Sequence, residues 1–295
     1  MNDTPRIGII GIGAMGFAIA TNLKHRGRAP RVRDVDPKAV AAAAAEGLVH
    51  ADSPAALAAA SDLIAIVVVD AAQIDAVLFG VGGVIHAPRR AQPPVVMICS
   101  TIAAGDTERF RDRLLEHGIA LLDAPISGGP ARAANGTMSM MLACERALFG
   151  RFEALLREMA GTLFYVGETV GDAARTKLVN NLLAGINLVA GAEALALGAR
   201  LGLDKRALFE VIQASSGASW IVGDRMARAL DGDYVPRARS VILTKDVGLA
   251  VQMAADAGLE TPLGDEALRR FKATVAAGFG ELDDAAVIRT ICPDF

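Results

Sequence analysis

The segment Gly11-Ile12-Gly13-Ala14-Met15-Gly16 constrains this chain more than any other. An apolar run, Arg6–Ile10, precedes it, and an Ala-rich stretch with helical character, Ala14–His25, follows it. At a strand-to-helix junction each glycine of a G-x-G-x-x-G pattern has a physical reason. The first permits a tight turn, the second lets a pyrophosphate approach the backbone, and the third lets helix and strand pack closely. The helix N-terminus adds N–H donors, so the unit predicts a dinucleotide site. Such a unit also requires an acidic residue about 20 positions on, at the end of the next strand. Asp34 stands there. Its carboxylate can accept ribose hydroxyls and would repel a 2′-phosphate, and the residue after it is Val35 rather than arginine. NAD is therefore favoured, with NADP left open through Arg33. Asp36 reads as the N-cap of the next helix, with Pro37 at its first position.

Composition narrows the remaining classes. The 295 residues carry a formal net charge of −3 and no basic tract, which argues against a nucleic-acid partner. Cys99, Cys144 and Cys292 are far apart, and the four histidines show no metal-ligand spacing, so no metal site is expected. A mean hydropathy of +0.37 raises the question of a membrane. The longest uncharged stretch, Ile7–Leu23, has 17 residues and contains Gly8, Gly11, Gly13 and Gly16. It is shorter than the ~20 residues of a spanning helix. No signal-peptide pattern precedes it. The expectation is a soluble, cytoplasmic protein. The hydrophobic excess consists largely of 57 alanines, beside 30 glycines, which suits close packing of helices and strands.

Along the first half, short apolar runs alternate with helix-like stretches. Strands are expected at Arg6–Ile10, Arg31–Asp34, Leu63–Val69, Val95–Ser100, Ala120–Asp123 and Met138–Ala143. Helices are expected at Ala14–His25, Pro37–Glu46, Pro54–Ala60, Ile74–Leu78 and Asp106–Glu116. Nearly all-apolar strands between helices indicate a parallel sheet covered on both faces. The fold class is therefore α/β, a Rossmann-type doubly wound sheet over residues 1–165. Residues 166–295 lose their strand signals and read as an all-helical domain. It is entered by one long helix, Asp172–Arg200, whose Gly185, Gly191 and Gly198 suggest close packing against other helices. Further helices are expected at Lys205–Ser215, Ser219–Leu230, Thr244–Ala257, Pro262–Ala277 and Asp284–Ile291.

Chemistry-bearing residues recur at three more places. Lys177 and Asn181 are one helical turn apart on the long helix and share a face, with Asn180 beside them. A desolvated lysine is a usable proton donor and acceptor. Asp123-Ala-Pro-Ile-Ser127-Gly128-Gly129 follows a strand, and its last three residues offer a hydroxyl and backbone N–H groups suited to an anion. Ser100 and Thr101 end a strand where doubly wound sheets bind ligands. Lys245-Asp246 lies in the helical domain.

Taken together, these motifs resemble the β-hydroxyacid dehydrogenase family, which includes 3-hydroxyisobutyrate dehydrogenase and tartronate semialdehyde reductase. The resemblance rests on Gly11–Gly16 with Asn22-Leu23, on Asp123–Gly129, on Gly171 to Lys177 with Asn180-Asn181, and on Lys245-Asp246. It implies an NAD(P)-dependent oxidoreductase in which Lys177 is the general acid/base and Asn181 orients the substrate oxygen. It implies that Ser127, Gly128, Gly129 and Asn180 bind substrate. Gly11, Gly13, Ala14, Met15, Gly16, Asp34, Val69, Ser100, Thr101 and Lys245 would face the cofactor. The chain departs from the family's usual pattern at Ala173 and at Ala103-Ala104, neither at an expected catalytic atom.

Ser219-Trp220, Asp231–Tyr234, Lys245–Leu249 and Asp283–Ile288 are similar to the branch of the family that oxidises L-threonate, a four-carbon sugar acid. 3-Hydroxyisobutyrate, tartronate semialdehyde and succinate semialdehyde are alternatives, as is a catalytically idle NAD-binding protein. Lys177 argues against the related imine reductases, and the chain length argues against a full 6-phosphogluconate dehydrogenase. The resemblance implies a homodimer or homotetramer.

Overall fold

The computed structural model describes residues 4–295. The chain divides into two compact units, Met1–Lys177 and Leu178–Phe295. In the first, the elements run β1 (Ile7–Ile10), α1 (Ala14–His25), β2 (Arg31–Arg33), α2 (Pro37–Ala45), β3 (Val49–His50), α3 (Pro54–Ala59), β4 (Leu63–Ile66) and α4 (Ala71–Phe79). They continue through β5 (Val95–Ile98), α5 (Ala104–Leu115), β6 (Leu121–Asp123), β7 (Ile126–Ser127), α6 (Gly129–Ala134), β8 (Ser139–Ala143), α7 (Arg146–Met159) and β9 (Thr162–Gly167). The 29-residue α8 (Asp172–Arg200) follows.

The sheet order is β3-β2-β1-β4-β5-β6-β8-β7, with β9 also pairing β8. Strands β1 to β6 are parallel, and their order reverses between β1 and β4. In doubly wound sheets that reversal is where the carboxyl ends of the strands open a ligand crevice. The two-residue period of a strand sends alternate side chains to opposite faces. Ile7, Ile9, Leu63, Ala65, Val95 and Met97 accordingly pack on one side with α1 and α7. Ile10, Ile64, Ile66, Val96 and Ile98 pack on the other with α3, α4 and α5. Both faces are covered, which explains why the strands read as nearly unbroken apolar runs.

The expected strands and helices of the first half are present, but β3, β7, β9, α6 and α7 lie outside them. Helix α7 carried a readable signal, since Phe149, Phe152, Leu155, Leu156 and Met159 recur at helical spacing and are all buried. The two compact units meet at 177/178, within the long helix that the sequence places at the start of the helical half. One buried side chain ties the start of that helix to the sheet. Asp123, at the end of β6, is 1% exposed. Its Oδ2 accepts the backbone N–H groups of Gly171 (2.9 Å) and Ala174 (3.1 Å), tying the start of α8 to the sheet. Ala173 packs with Met141 and Ala143 beside it.

The second unit continues with α9 (Lys205–Gln213), α10 (Trp220–Leu230), α11 (Ser240–Asp256), α12 (Pro262–Thr274) and α13 (Val287–Ile291). Among the described residues its only β pairing is an isolated bridge, Arg239 to Asp283. The glycines of α8 meet three different helices. A Cβ at Gly185 would lie 2.6 Å from Val247 of α11, at Gly191 2.5 Å from Val222 of α10, and at Gly198 2.0 Å from Leu208 of α9. By length and composition α8 is also the one described helix apolar enough to cross a membrane, with 39% of its most apolar window buried.

Two consequences are measurable. Val222 is β-branched and stiff at χ1, so it cannot swing away from a side chain at position 191. Gly191→Leu should therefore lower stability by about 1–3 kcal/mol in urea unfolding, despite leucine's better helix propensity. At Asp123, burial pushes the carboxyl up to about 6, against the pull of the Ala174 and Gly171 amides. The folded state thus holds the proton more tightly than the unfolded chain. The stability this contributes is complete below the ordinary carboxyl range and is lost as pH rises through about 6. Relative to Asp123→Asn, the wild type should lose about 2 kcal/mol of unfolding free energy between pH 4.5 and 8. Unfolding midpoints that rise over that window relative to the variant would contradict this.

Candidate active site

The turn after β1 meets the demands of a dinucleotide cradle. Gly11 has φ +88°, and a Cβ there would lie 2.5 Å from the Val67 carbonyl oxygen. A Cβ at Gly16 would lie 1.9 Å from the Gly11 carbonyl oxygen. The protein's own packing thus requires both glycines. Gly13 differs, because a Cβ there would meet nothing within 4 Å. Gly13 and Ala14 are exposed at the N-terminus of α1, where backbone N–H groups lack helical acceptors. The openness over Gly13 is the space a pyrophosphate needs, so the residues present fit the nucleotide. Met15 is half-buried behind them.

Asp34 is held against this turn. Its Oδ2 accepts the Ile12 N–H at 2.7 Å and its Oδ1 accepts the Asp36 N–H at 2.9 Å. Each oxygen keeps a further lone-pair site for a hydroxyl donor. Arg33 is turned the other way: its Nη1 donates to the Asp34 carbonyl and lies 3.2 Å from His50 Nε2. Asp36 caps α2 through the Lys38 N–H, as expected.

At the ends of β4 and β5 the expected residues divide. The Ser100 hydroxyl accepts the Val68 N–H at 3.1 Å and the residue is 6% exposed, so this side chain braces the two strand ends. Val69 is 39% exposed and Thr101 is half-buried, which leaves these two turned more to the outside. Further along, Ser127, Gly128 and Gly129 are all half-buried. Gly128 and Gly129 have φ of +130° and +72°. Consecutive positive φ angles re-aim the backbone between β7 and α6 and favour glycine at both places. Lys177, the last residue of the first unit, is 6% exposed.

In the second unit four polar side chains form one hydrogen-bonded chain. Asn180 Nδ2 donates to Asn181 Oδ1 at 3.2 Å. Asn181 Nδ2 donates to Asp246 Oδ2 at 2.8 Å. Lys245 Nζ donates to Asp246 Oδ1 at 2.7 Å. An ionised carboxylate only accepts, so Asp246 sets which way the Asn181 amide faces. One amide hydrogen of Asn181 remains for another acceptor. Asp246 and Asp123 are each a single acid inside a mainly apolar stretch, the one local feature that marks them in the sequence.

Two other motifs prove to be scaffold. Asp283 accepts from Arg228 Nη1 at 3.0 Å and from the Arg237 N–H at 2.8 Å. Asp284 accepts from Arg225 Nε at 2.6 Å. Asp233 is paired with Arg228. These contacts hold the segment after α10 and the segment before α13 against α10. Among the described residues no cluster of His, Cys, Asp and Glu could hold a metal ion.

Comparison with known proteins divides the chain between residues 167 and 171. Residues 6–167 match the family model of the NAD-binding domain of 6-phosphogluconate dehydrogenase. Residues 171–291 match that described as the NAD-binding domain of NADP-dependent 3-hydroxyisobutyrate dehydrogenase. The chain is 39% identical to L-threonate dehydrogenase of Cupriavidus necator over 96% of this chain and 95% of that one. It is 33% identical to 2-(hydroxymethyl)glutarate dehydrogenase of Eubacterium barkeri over 98% and 95%. A solved structure, 3-hydroxyisobutyrate dehydrogenase from Salmonella typhimurium, superposes with a TM-score of 0.87 at 36% identity, covering 97% of this chain and 99% of that one. With a dinucleotide cradle, a buried lysine and near full-length matches of this kind, the chain belongs to the β-hydroxyacid dehydrogenase family of NAD(P)-dependent oxidoreductases.

Proposed function

We propose that this enzyme uses NAD to oxidise an L-threonate-like sugar acid at a hydroxyl-bearing carbon. The observation that carries the reading is Lys177, a buried lysine one turn ahead of an asparagine whose amide is clamped by Asp246. Burial disfavours the ammonium form of a lysine and suits it to exchange protons with substrate. Lys177 Nζ accepts the proton of the substrate hydroxyl as the carbonyl forms, and returns it in the reverse direction. The second amide hydrogen of Asn181 holds the same oxygen. Ser127 and the backbone of Gly128 and Gly129 hold the substrate carboxylate, with Asn180 in support. Bound nicotinamide supplies the hydride acceptor. Gly11, Gly13, Ala14, Met15 and Gly16 would hold its pyrophosphate and Asp34 its adenosine ribose, while Val69, Ser100, Thr101 and Lys245 would flank the nicotinamide portion.

The preference for NAD is supported by Asp34, already oriented by two backbone N–H groups, and by Arg33, which is turned toward β3. The sugar-acid substrate is supported by the relatives named L-threonate dehydrogenase, 35–39% identical to this chain. A homodimer or homotetramer is supported by α8, where Val179, Leu183 and Leu197 are each about 60% exposed on one stripe of helical spacing. Asn180, Asn181 and Glu193 lie in the same helix and suit a protein neighbour better than lipid. We therefore read the enzyme as cytoplasmic.

The test is a panel of C3–C6 hydroxy acids with NAD or NADP, read by absorbance of the reduced nicotinamide. L-threonate should give the highest kcat/KM, and a maximum at 3-hydroxyisobutyrate or in semialdehyde reduction would move the substrate within the family. Lys177→Met should lower kcat by at least ~10²-fold with NAD binding intact by fluorescence titration. Unchanged turnover in that variant would sink the assignment. Asp34→Ala should raise KM for NAD and narrow the NAD-to-NADP ratio of kcat/KM at least ~10-fold, because a fixed charge-assisted acceptor is lost. A ratio that stays put would remove Asp34 from cofactor choice.

A further inference from the structure

We propose that Asp123 is a positioning residue for the reaction, holding Lys177 in place by capping α8 from the strand that leads into the Ser127 turn. The inference rests on the function proposed above for Lys177. It begins with what α8 lacks. The residue before the helix is Gly171, which has no side chain to accept the first N–H groups. A serine or aspartate at that place would cap the helix locally. Instead the acceptor is Asp123 Oδ2, 48 and 51 residues away in sequence from its two donors, Gly171 and Ala174.

A local cap would stabilise the helix equally well. What the distant one adds is a fixed relation between the helix start and a particular strand. Residues 123, 126 and 127 share a single antiparallel register on β8, pairing Ala143, Met140 and Ser139. Pro125 lacks an N–H and interrupts the ladder, but its carbonyl still accepts the Met141 N–H at 3.0 Å. The extended segment is thus continuous from Asp123 to Ser127, and the two-residue period puts those two side chains on the same face. Ala174, the farther of the two donors, lies one turn before Lys177, about 4.5 Å along the helix axis. One rigid segment therefore carries the group proposed to hold the substrate carboxylate and also sets the height of the base.

Burying a carboxylate is costly, and the backbone N–H groups at the start of α8 are what compensate at Asp123. A carboxylate retained on those terms is explained by placement better than by stability.

The test compares Asp123→Ala with Asp123→Asn, which keeps an acceptor oxygen. Asp123→Ala should lower kcat roughly 10²-fold, since a displacement of about 1 Å at the base costs that much. KM for NAD should stay within about 2-fold, and Asp123→Asn should recover kcat to within about 5-fold of wild type. Amide hydrogen exchange should quicken over residues 171–177 in Asp123→Ala and not in Asp123→Asn. If Asp123→Ala does not fold, Asp123→Ser is measured in its place, its hydroxyl being too short to reach both amides. Equal losses of kcat in the alanine and asparagine variants, or unchanged exchange over 171–177 in the alanine variant, would overturn the proposal. Exchange needs no turnover: a wild type inactive on every hydroxy acid refutes the proposed function and, with it, this role, whereas normal kcat in Asp123→Ala refutes the role alone.

Discussion

A long helix that begins without a side-chain cap must find acceptors for its first N–H groups elsewhere. In this protein it finds them on a carboxylate buried at the end of β6. That bond ties the start of the helix to the sheet of the first unit. Because Gly171 and Ala174 are tied to the sheet, residues 172–177 pack with the Rossmann domain although they belong to the helix that continues into the helical unit. The lysine proposed as the base is the last residue so anchored.

The second unit uses the same principle with different partners. Asp246 pins Asn181, and Asp283 and Asp284 gather Arg225, Arg228 and the backbone of Arg237. Each acid is nearly or fully buried; Asp246 accepts from Asn181 and Lys245, Asp283 from several donors and Asp284 from Arg225. Buried carboxylates with fixed donors thus serve as joints in both units.

The nucleotide half was legible because its signals are local. Gly11, Gly13 and Gly16 are constrained by one turn, and Asp34 by the length of one βαβ step. What single positions do within that half was less legible. Two of the three glycines answer to the protein's own backbone, and only Gly13 faces open space. Ser100 stands at a strand end of the right kind, and its hydroxyl also accepts the Val68 amide, a contact no local pattern shows. Strand β9 was missed because Phe164 and Tyr165 sit on a partly exposed strand whose pattern is mixed. Helix α7 was missed although its apolar residues recur at regular spacing.

By itself the sequence determined the doubly wound sheet, the cradle at its first turn, the all-helical second half and the residue types of the chemistry. Those follow from periodicity and from backbone geometry within about 30 residues. Tertiary structure alone decided which acids hold which amides, where one unit gives way to the next, and which serine is a brace. Each of those depends on pairs far apart in the chain, Asp123 with Gly171 or Asn181 with Asp246, and no local pattern encodes a hydrogen bond across 48 or 65 residues.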